Sequence, residues 1–260
     1  RLVLRDVALT DARGARLALL SDLDSTVALT PLLQGQVQPG TIRLSGATLR
    51  LRRSVEGTMG IALGETRETL QEAPSLAALI GRMDRLLTRP GFAALRRVEA
   101  NNLSVQYEDA RAGRSWAVDG GRVRVIRDGD DLQLRGDFAL LGDRGFATTL
   151  DINYSSRIGE TAAEFGMSFE DMPTRDIAGQ SPALAWLMAL DAPLSGALRA
   201  SVEEDGALGP LNATLQFGEG VLQPIEATKP IPFSQARTYF TYDPATQKMQ
   251  FDEVFVQSGW

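Results

Sequence analysis

The chain has 260 residues, of which 43% are hydrophobic and 23% charged, and its formal net charge is −6. It is long enough to bury a sizeable core in one large or two medium domains. It contains no cysteine and no histidine, which removes Cys and His nucleophiles, disulfides and the usual zinc ligands. The negative charge argues against nucleic acid as a partner, and no run approaches the roughly 18 apolar residues of a membrane span.

Short stretches with alternating apolar and polar residues recur along the whole chain, as expected for strands with one buried face. The residues predicted to share the apolar face are Leu2, Leu4, Ile42, Leu44, Leu49, Leu51, Leu103, Val105, Val123, Val125, Leu132, Leu134, Leu150, Ile152, Leu198, Val202, Leu211, Leu215 and Phe217. Turns rich in Gly and Asp, such as 119–121, 128–129 and 203–206, separate them. This pattern predicts a mainly β protein built as an antiparallel meander rather than from βαβ units.

At Gly46 the phase of the alternation slips by one residue, from Ile42 and Leu44 to Leu49 and Leu51. A bulge or bend at the glycine would keep all four side chains on one face. The sequence therefore predicts a bend in the sheet at this position.

Two segments have helical rather than strand periodicity. Residues 75–87 carry apolar side chains at helical spacing and are stopped by Pro90, and a further helical turn after it extends this helical insert to about 75–97. A second, shorter helix is predicted at about 181–190, starting at Ser-Pro. We expect two or three short amphipathic helices that lie over the apolar face of the sheet or close one of its ends.

Two short motifs resemble known cofactor or metal sites, but neither has the residue spacing that such a site requires. The acidic run 128–131 lacks the ligand spacing of a calcium loop and is better explained as a solvated hairpin turn. The segment Gly218-Glu-Gly220 has no third glycine and opens no helix, so a turn explains it. No cofactor is expected from these motifs.

The shared apolar face allows two interpretations. Two facing sheets could bury it completely, as in a sandwich or barrel. Alternatively, one long curved antiparallel sheet could leave it partly open as a hydrophobic groove that holds lipid chains. The scarcity of aromatic residues, 7% of the chain, would make such a groove smooth.

Several segments resemble the AsmA-like superfamily, most closely its YhdP branch, with TamB more distant. They include Leu-x-Asp-Val-x-Leu-Thr-Asp-x-x-Gly at 4–14, Pro-Leu-Leu-x-Gly-x-Val-x-Pro at 31–39, Ile-x-Leu-x-Gly-Ala-x-Leu-x-Leu-x-Arg at 42–53 and Ala-Pro-Leu-Ser-Gly-Ala-Leu at 192–198. The resemblance covers most of the chain.

The resemblance implies an envelope protein of diderm bacteria, held in the inner membrane by an N-terminal helix and extending through the periplasm. Its β-groove would carry phospholipids towards the outer membrane, with no catalytic residues and so no enzyme activity. Residues 1–260 are then expected to form a single continuous segment of a larger protein that starts after the membrane anchor. Outer-membrane or periplasmic proteins are candidate partners.

Two other classes of function stay open at the sequence level. One is a periplasmic scaffold that assists outer-membrane assembly through strand contacts and carries no lipid, which exposed and pairable edge strands would favour. The other is a β-rich binding or hydrolytic domain with a closed core, which a polar cleft with convergent carboxylates would favour. An open apolar face would distinguish the lipid groove from both.

Overall fold

The protein is mainly β and forms one long, curved sheet of 15 strands beside a small sheet of three. The computed structural model describes residues 1–10, 16–56, 58–63, 71–73, 76–110, 113–141, 147–178, 182–225 and 227–259. The predicted fold class, a mainly β groove-like sheet with a few short helices, is confirmed.

The strands are β1 Leu2–Thr10, β2 Arg16–Val27, β3 Pro39–Ser45, β4 Thr48–Arg53, β5 Met59–Leu63, β6 Gln71–Ala73, β7 Arg97–Asp109, β8 Arg114–Asp128, β9 Asp131–Leu141, β10 Ala147–Arg157, β11 Ala163–Pro173, β12 Leu190–Asp191, β13 Pro193–Val202, β14 Leu211–Phe217, β15 Gly220–Leu222, β16 Ile231–Phe233, β17 Gln235–Asp243 and β18 Lys248–Gln257. The helices are α1 Leu29–Leu33, α2 Leu76–Leu87 and α3 Thr174–Ala178, with 3₁₀ helices at Pro90–Phe92 and Pro182–Ala189.

The helices partly follow the sequence periodicity. The first predicted helix is α2, and the turn expected after it is the 3₁₀ helix Pro90–Phe92, because the chain has already entered β7 at Arg97. The second predicted helix is a 3₁₀ helix, Pro182–Ala189. The short helices α1 and α3 were not predicted, since five residues are too few to establish a helical period.

The sheet is mixed, which corrects the expectation of a purely antiparallel meander. Its main path runs β1-β2-β3-β7-β8-β9-β10-β11-β13-β14-β17-β18. Among the described strands, β7 pairs in parallel with β3 and with β4, and the other pairings are antiparallel. The chain between β4 and β7 contains β5, β6 and α2. This long connection is what allows β7 to return in the same direction as β4.

The sheet forks at β7. The first part of β7 pairs with β3, from Thr41 opposite Arg97, and the second part pairs with β4, to Arg53 opposite Asp109. Because β2 pairs with β3 whereas β5 pairs with β4, the sheet continues as two arms, β3-β2-β1 and β4-β5-β6. The arms diverge at Gly46, whose φ of 75° is favourable for glycine.

A line of residues with positive φ crosses the sheet at the level of this fork, and the β7–β8 pair has a bulge there. Positive φ angles occur at Asp6 in β1, Asn102 in β7 and Gly120 in β8, as well as at Gly46 between β3 and β4. At each one the inward-facing residues step by three instead of two, as from Ala100 to Leu103. The bend predicted at Gly46 is therefore present, and the turn predicted at 119–121 is instead a bulge within β8. Bulges bend strands and increase their twist, so this line marks a local bend of the sheet.

Candidate functional site: an apolar trough on the inner face

One row of side chains without any polar group crosses the main path of the sheet from edge to edge. Strand register aligns Leu4, Leu23, Leu44, Ala100, Val123, Gly136, Ile152, Met167, Leu198, Ala213, Phe240 and Phe251 in neighbouring pairs. Directly paired residues lie on the same face of a sheet. We call this face the inner face.

Strand register and packing place all the residues predicted from the alternation on the inner face. Buried among protein side chains are Leu103, Val105, Leu132, Leu198, Val202, Leu215 and Phe217. Half-buried are Ile42, Leu44, Leu49, Leu51, Val123, Val125, Leu134, Leu150, Ile152 and Leu211, whereas Leu2 and Leu4 on the edge strand are exposed. Lipid contact stays a prediction for this set, and in this conformation only its half-buried and exposed members present surface for it.

Helix α2 covers one part of the inner face. Its Ile80 and Leu87 are buried together with Leu95, which follows the 3₁₀ helix Pro90–Phe92. They pack against Leu132, Tyr154, Ala163 and Val202 of strands β9, β10, β11 and β13. The expectation that a helix lies over the apolar face is met here.

Two polar contacts hold α2 to the sheet. The backbone N–H of Gly159, in the turn between β10 and β11, donates to Asp84 Oδ2 at 2.9 Å. Arg127 of β8 donates through Nη1 to the Leu87 carbonyl at 3.1 Å and through Nε to the Gly129 carbonyl at 2.8 Å. A cation at the carboxyl end of a helix is favourable because the last carbonyls have no intrahelical partner.

A second cover closes the inner face over the later strands. It consists of α3 and the 3₁₀ helix Pro182–Ala189, with Ile177, Leu184 and Leu187 buried. The strand residues beneath it are Phe169, Leu194, Leu198, Ala213, Leu215, Phe217 and Phe240. Trp186 meets Phe217, Phe240 and Phe251 edge-on, with ring centroids 6.0, 6.1 and 5.9 Å away.

Between the fork and the second cover, the larger side chains of the apolar row are only half-buried. We call this section the inner trough and define it by Leu23, Leu44, Val123, Ile152 and Met167. Its floor also contains Ala100 and Gly136, which are buried, and the side chains of Phe138 and Ile152 lie directly over Gly136. The section crosses seven strands, from β2 to β11, and at about 4.8 Å per strand it is roughly 29 Å long.

The opposite, outer face is polar. Glu99 accepts a hydrogen bond from Arg43 at 2.9 Å and forms an ion pair with Arg124 at 3.4 Å, both from neighbouring strands. Asp151 lies opposite Asp137. Partial burial, the hydrogen bond to Asp137 and that residue's charge raise the pKa of Asp151. Exposed ion pairs contribute at most about 1 kcal/mol each, so these pairs add little to the stability of the sheet.

Two kinds of site residue were missed from the sequence. Leu23 and Met167 belong to the trough. The three-residue step from Leu20 to Leu23 breaks the strand alternation, whereas the alternation Phe165, Met167, Phe169 was a detectable strand signal. Three polar atoms beneath α2, on Asp84, Tyr154 and Ser156, are buried without a hydrogen-bond partner. No sequence pattern indicated that these would meet.

The described part of the chain offers little for other classes of site. Its helices are all too short or too polar to cross a bilayer. It holds no group of three or more His, Cys, Asp or Glu side chains placed to bind a metal ion. No protein-family model, no curated protein and no solved structure matches this chain.

Proposed function

We propose that this chain is a section of a lipid-transfer groove that holds phospholipid acyl chains along the inner trough. The observation that supports this most is the apolar row across seven strands, whose larger side chains are half-buried and which is bordered by α2 and the second cover. A closed sandwich would bury this row completely. Contiguous apolar surface left accessible on a folded protein is typical of a binding surface.

The dimensions suit an acyl chain. A bilayer's hydrocarbon core is about 30 Å thick, so a chain from one leaflet needs about 15 Å, and the trough is about twice that length. Each buried CH₂ group contributes about 0.8 kcal/mol. The trough side chains are apolar and carry no hydrogen-bonding group, which would let chains slide rather than bind at one position.

The wider role follows from the resemblance to AsmA-like proteins. In this proposal the chain works in the periplasm of a diderm bacterium, as part of a protein anchored in the inner membrane that carries phospholipids towards the outer membrane. It acts without enzyme activity or a cofactor. Phospholipids are its ligands, and outer-membrane or periplasmic proteins are its candidate partners.

Native mass spectrometry combined with lipid extraction tests this proposal on the purified chain. We expect co-purified phospholipid in the wild type and its loss in Ile152→Asp and Met167→Asp, because a carboxylate in the trough opposes burial of acyl chains. The control is Asn153→Asp, which adds the same charge next to Ile152 but on the outer face. A folded wild-type protein without lipid, or equal lipid in all variants, would contradict the proposal.

A scaffold function is the second candidate, and the edge strand β18 favours it. Val254, Phe255 and Val256 are 64, 41 and 58% exposed on a strand that pairs only with β17 among the described strands. Exposed apolar edges can add a strand from another protein. A lipid-free chain that crosslinks at Val254 to an added outer-membrane β-hairpin peptide would support this function instead.

A further inference from the structure

Three buried polar atoms lie unpaired beneath α2. They are Asp84 Oδ1, Tyr154 OH and Ser156 Oγ, each without a hydrogen-bond partner. Asp84 and Tyr154 are only 9 and 8% exposed. An unpaired buried polar group costs about 1–3 kcal/mol, so three of them close together call for an explanation.

The three atoms come from facing elements. Tyr154 and Ser156 are two residues apart on β10, which places them on the inner face about 7 Å apart along the strand. Asp84 projects from α2 above them and is fixed by the Gly159 N–H. Burial is the main cause that raises the pKa of Tyr154, the nearby Ser156 hydroxyl lowers it, and the charge of Asp84 raises it. Both Ser156 and Asp84 therefore lie close enough to affect the pKa of Tyr154.

Together they present a carboxylate oxygen and two hydroxyl oxygens, all of which accept hydrogen bonds. A buried carboxylate is stabilised by a cation. Arg127, which contacts the end of α2, donates instead to the carbonyls of Leu87 and Gly129. A small cation with several N–H donors would pair with all three oxygens. A primary ammonium group has three such donors and one positive charge.

We infer that Asp84, Tyr154 and Ser156 form a binding site for a primary ammonium group, the headgroup chemistry of an aminophospholipid. The inference rests on the proposed function, because it places the site beside the inner trough. Tyr154 is two residues from Ile152 of the trough and packs against Phe165 with ring centroids 5.1 Å apart. Acyl chains in the trough and an ammonium group at the three oxygens would lie on the same face, and α2 must shift to admit the headgroup.

The first test uses the soluble probes ethanolamine and choline, so it does not depend on lipid transport. We expect ethanolamine to raise the thermal midpoint in a concentration-dependent way. Choline, whose quaternary nitrogen has no N–H donor, should not. Asp84→Asn should lower the ethanolamine affinity at least tenfold while keeping the side-chain size. Equal responses to both probes, or none to ethanolamine, would overturn the site and leave an internal water as the bridge between the three oxygens.

The second test compares lipids of different headgroups in the same chain. Phosphatidylethanolamine should be retained in preference to phosphatidylcholine, and Tyr154→Phe with Ser156→Ala should remove the preference without lowering the total lipid bound. A wild-type protein that binds no lipid would contradict the proposed function. A wild-type protein that binds lipid without any headgroup preference would contradict only the ammonium site. If Asp84→Asn does not fold, the double variant of Tyr154 and Ser156 still tests the ammonium site.

Discussion

The inner face is treated differently in two regions of the same sheet. Under the second cover, Leu194 and Leu215 are completely buried, as is Leu187 of the cover itself. In the inner trough, Val123 and Ile152 have the same aliphatic character and the same inward orientation, but they are half-buried. The strand sequences of the two regions cannot be told apart by their alternation. The difference arises because a segment between β11 and β13 folds back over one region and not over the other.

The contrast distinguishes residues that stabilise the fold from residues whose surface is left for a ligand. A leucine under the cover contributes to the folding free energy through contacts that are already made. A leucine or isoleucine in the trough keeps part of that contact surface for another molecule. Substitutions should therefore affect stability most in the covered region and ligand content most in the trough.

The largest expected difference is between Leu215→Asp and Ile152→Asp. Leu215 has no exposed surface, so a carboxylate there is buried without a partner and should cost more than about 4 kcal/mol, which unfolds a marginally stable protein. Ile152→Asp should cost only about 1–2 kcal/mol, because the trough admits water. Urea denaturation followed by circular dichroism measures both. Similar losses in the two variants would show that the trough is as closed as the core.

The cover itself provides a second contrast, between Leu187→Ala and Met188→Ala. The two residues are adjacent in the 3₁₀ helix, but Leu187 is completely buried whereas Met188 is 60% exposed. We expect Leu187→Ala to lower the free energy of unfolding by about 2–5 kcal/mol. Met188→Ala should change it by less than about 0.5 kcal/mol. The same denaturation experiment applies, and a small effect of Leu187→Ala would contradict the assignment of this segment as a cover.

At the border of the trough, Gly46→Ala tests the bend at the fork, with Gly35→Ala as its control. Both glycines have a φ of 75°. A Cβ at Gly35 would meet nothing, whereas a Cβ at Gly46 would overlap Ser21 Oγ and lie 3.2 Å from Ser21 Cβ. The shared backbone strain should cost each variant about 1–2 kcal/mol, with a further loss in Gly46→Ala from crowding. Equal thermal midpoints for the two variants would mean that Ser21 does not crowd position 46.

The smallest expected effect concerns the outer face behind the trough. Since the pKa of Asp151 is raised, mainly by partial burial and then by Asp137, its ionised form destabilises the folded state at neutral pH. Asp151→Asn should therefore stabilise the protein by a few tenths of a kcal/mol at pH 7. The gain should vanish as the pH falls through the raised pKa and the wild-type carboxyl becomes protonated. Thermal unfolding at pH 7 and pH 4 checks both the sign and the pH range.

Much of the sheet could be predicted because one side of each strand is buried. The alternation along 150–154 and 211–217 identified β10 and β14 and the side that faces inwards. The line of positive-φ residues at the level of the fork was harder to predict. Gly46 was found through its phase slip, but Asp6 and Asn102 adopt positive φ without a glycine, so only the three-residue apolar step marked them.

The sequence by itself determined that the chain makes strands with one apolar and one polar face, and that an amphipathic helix interrupts them. These properties depend on local periodicity, which each segment carries independently of the others. Only the tertiary structure decided that β7 pairs in parallel with β3 and β4, that the sheet forks there, and which part of the inner face is covered. Such features depend on contacts between segments far apart in the chain, and local periodicity does not specify which distant partner a segment will meet.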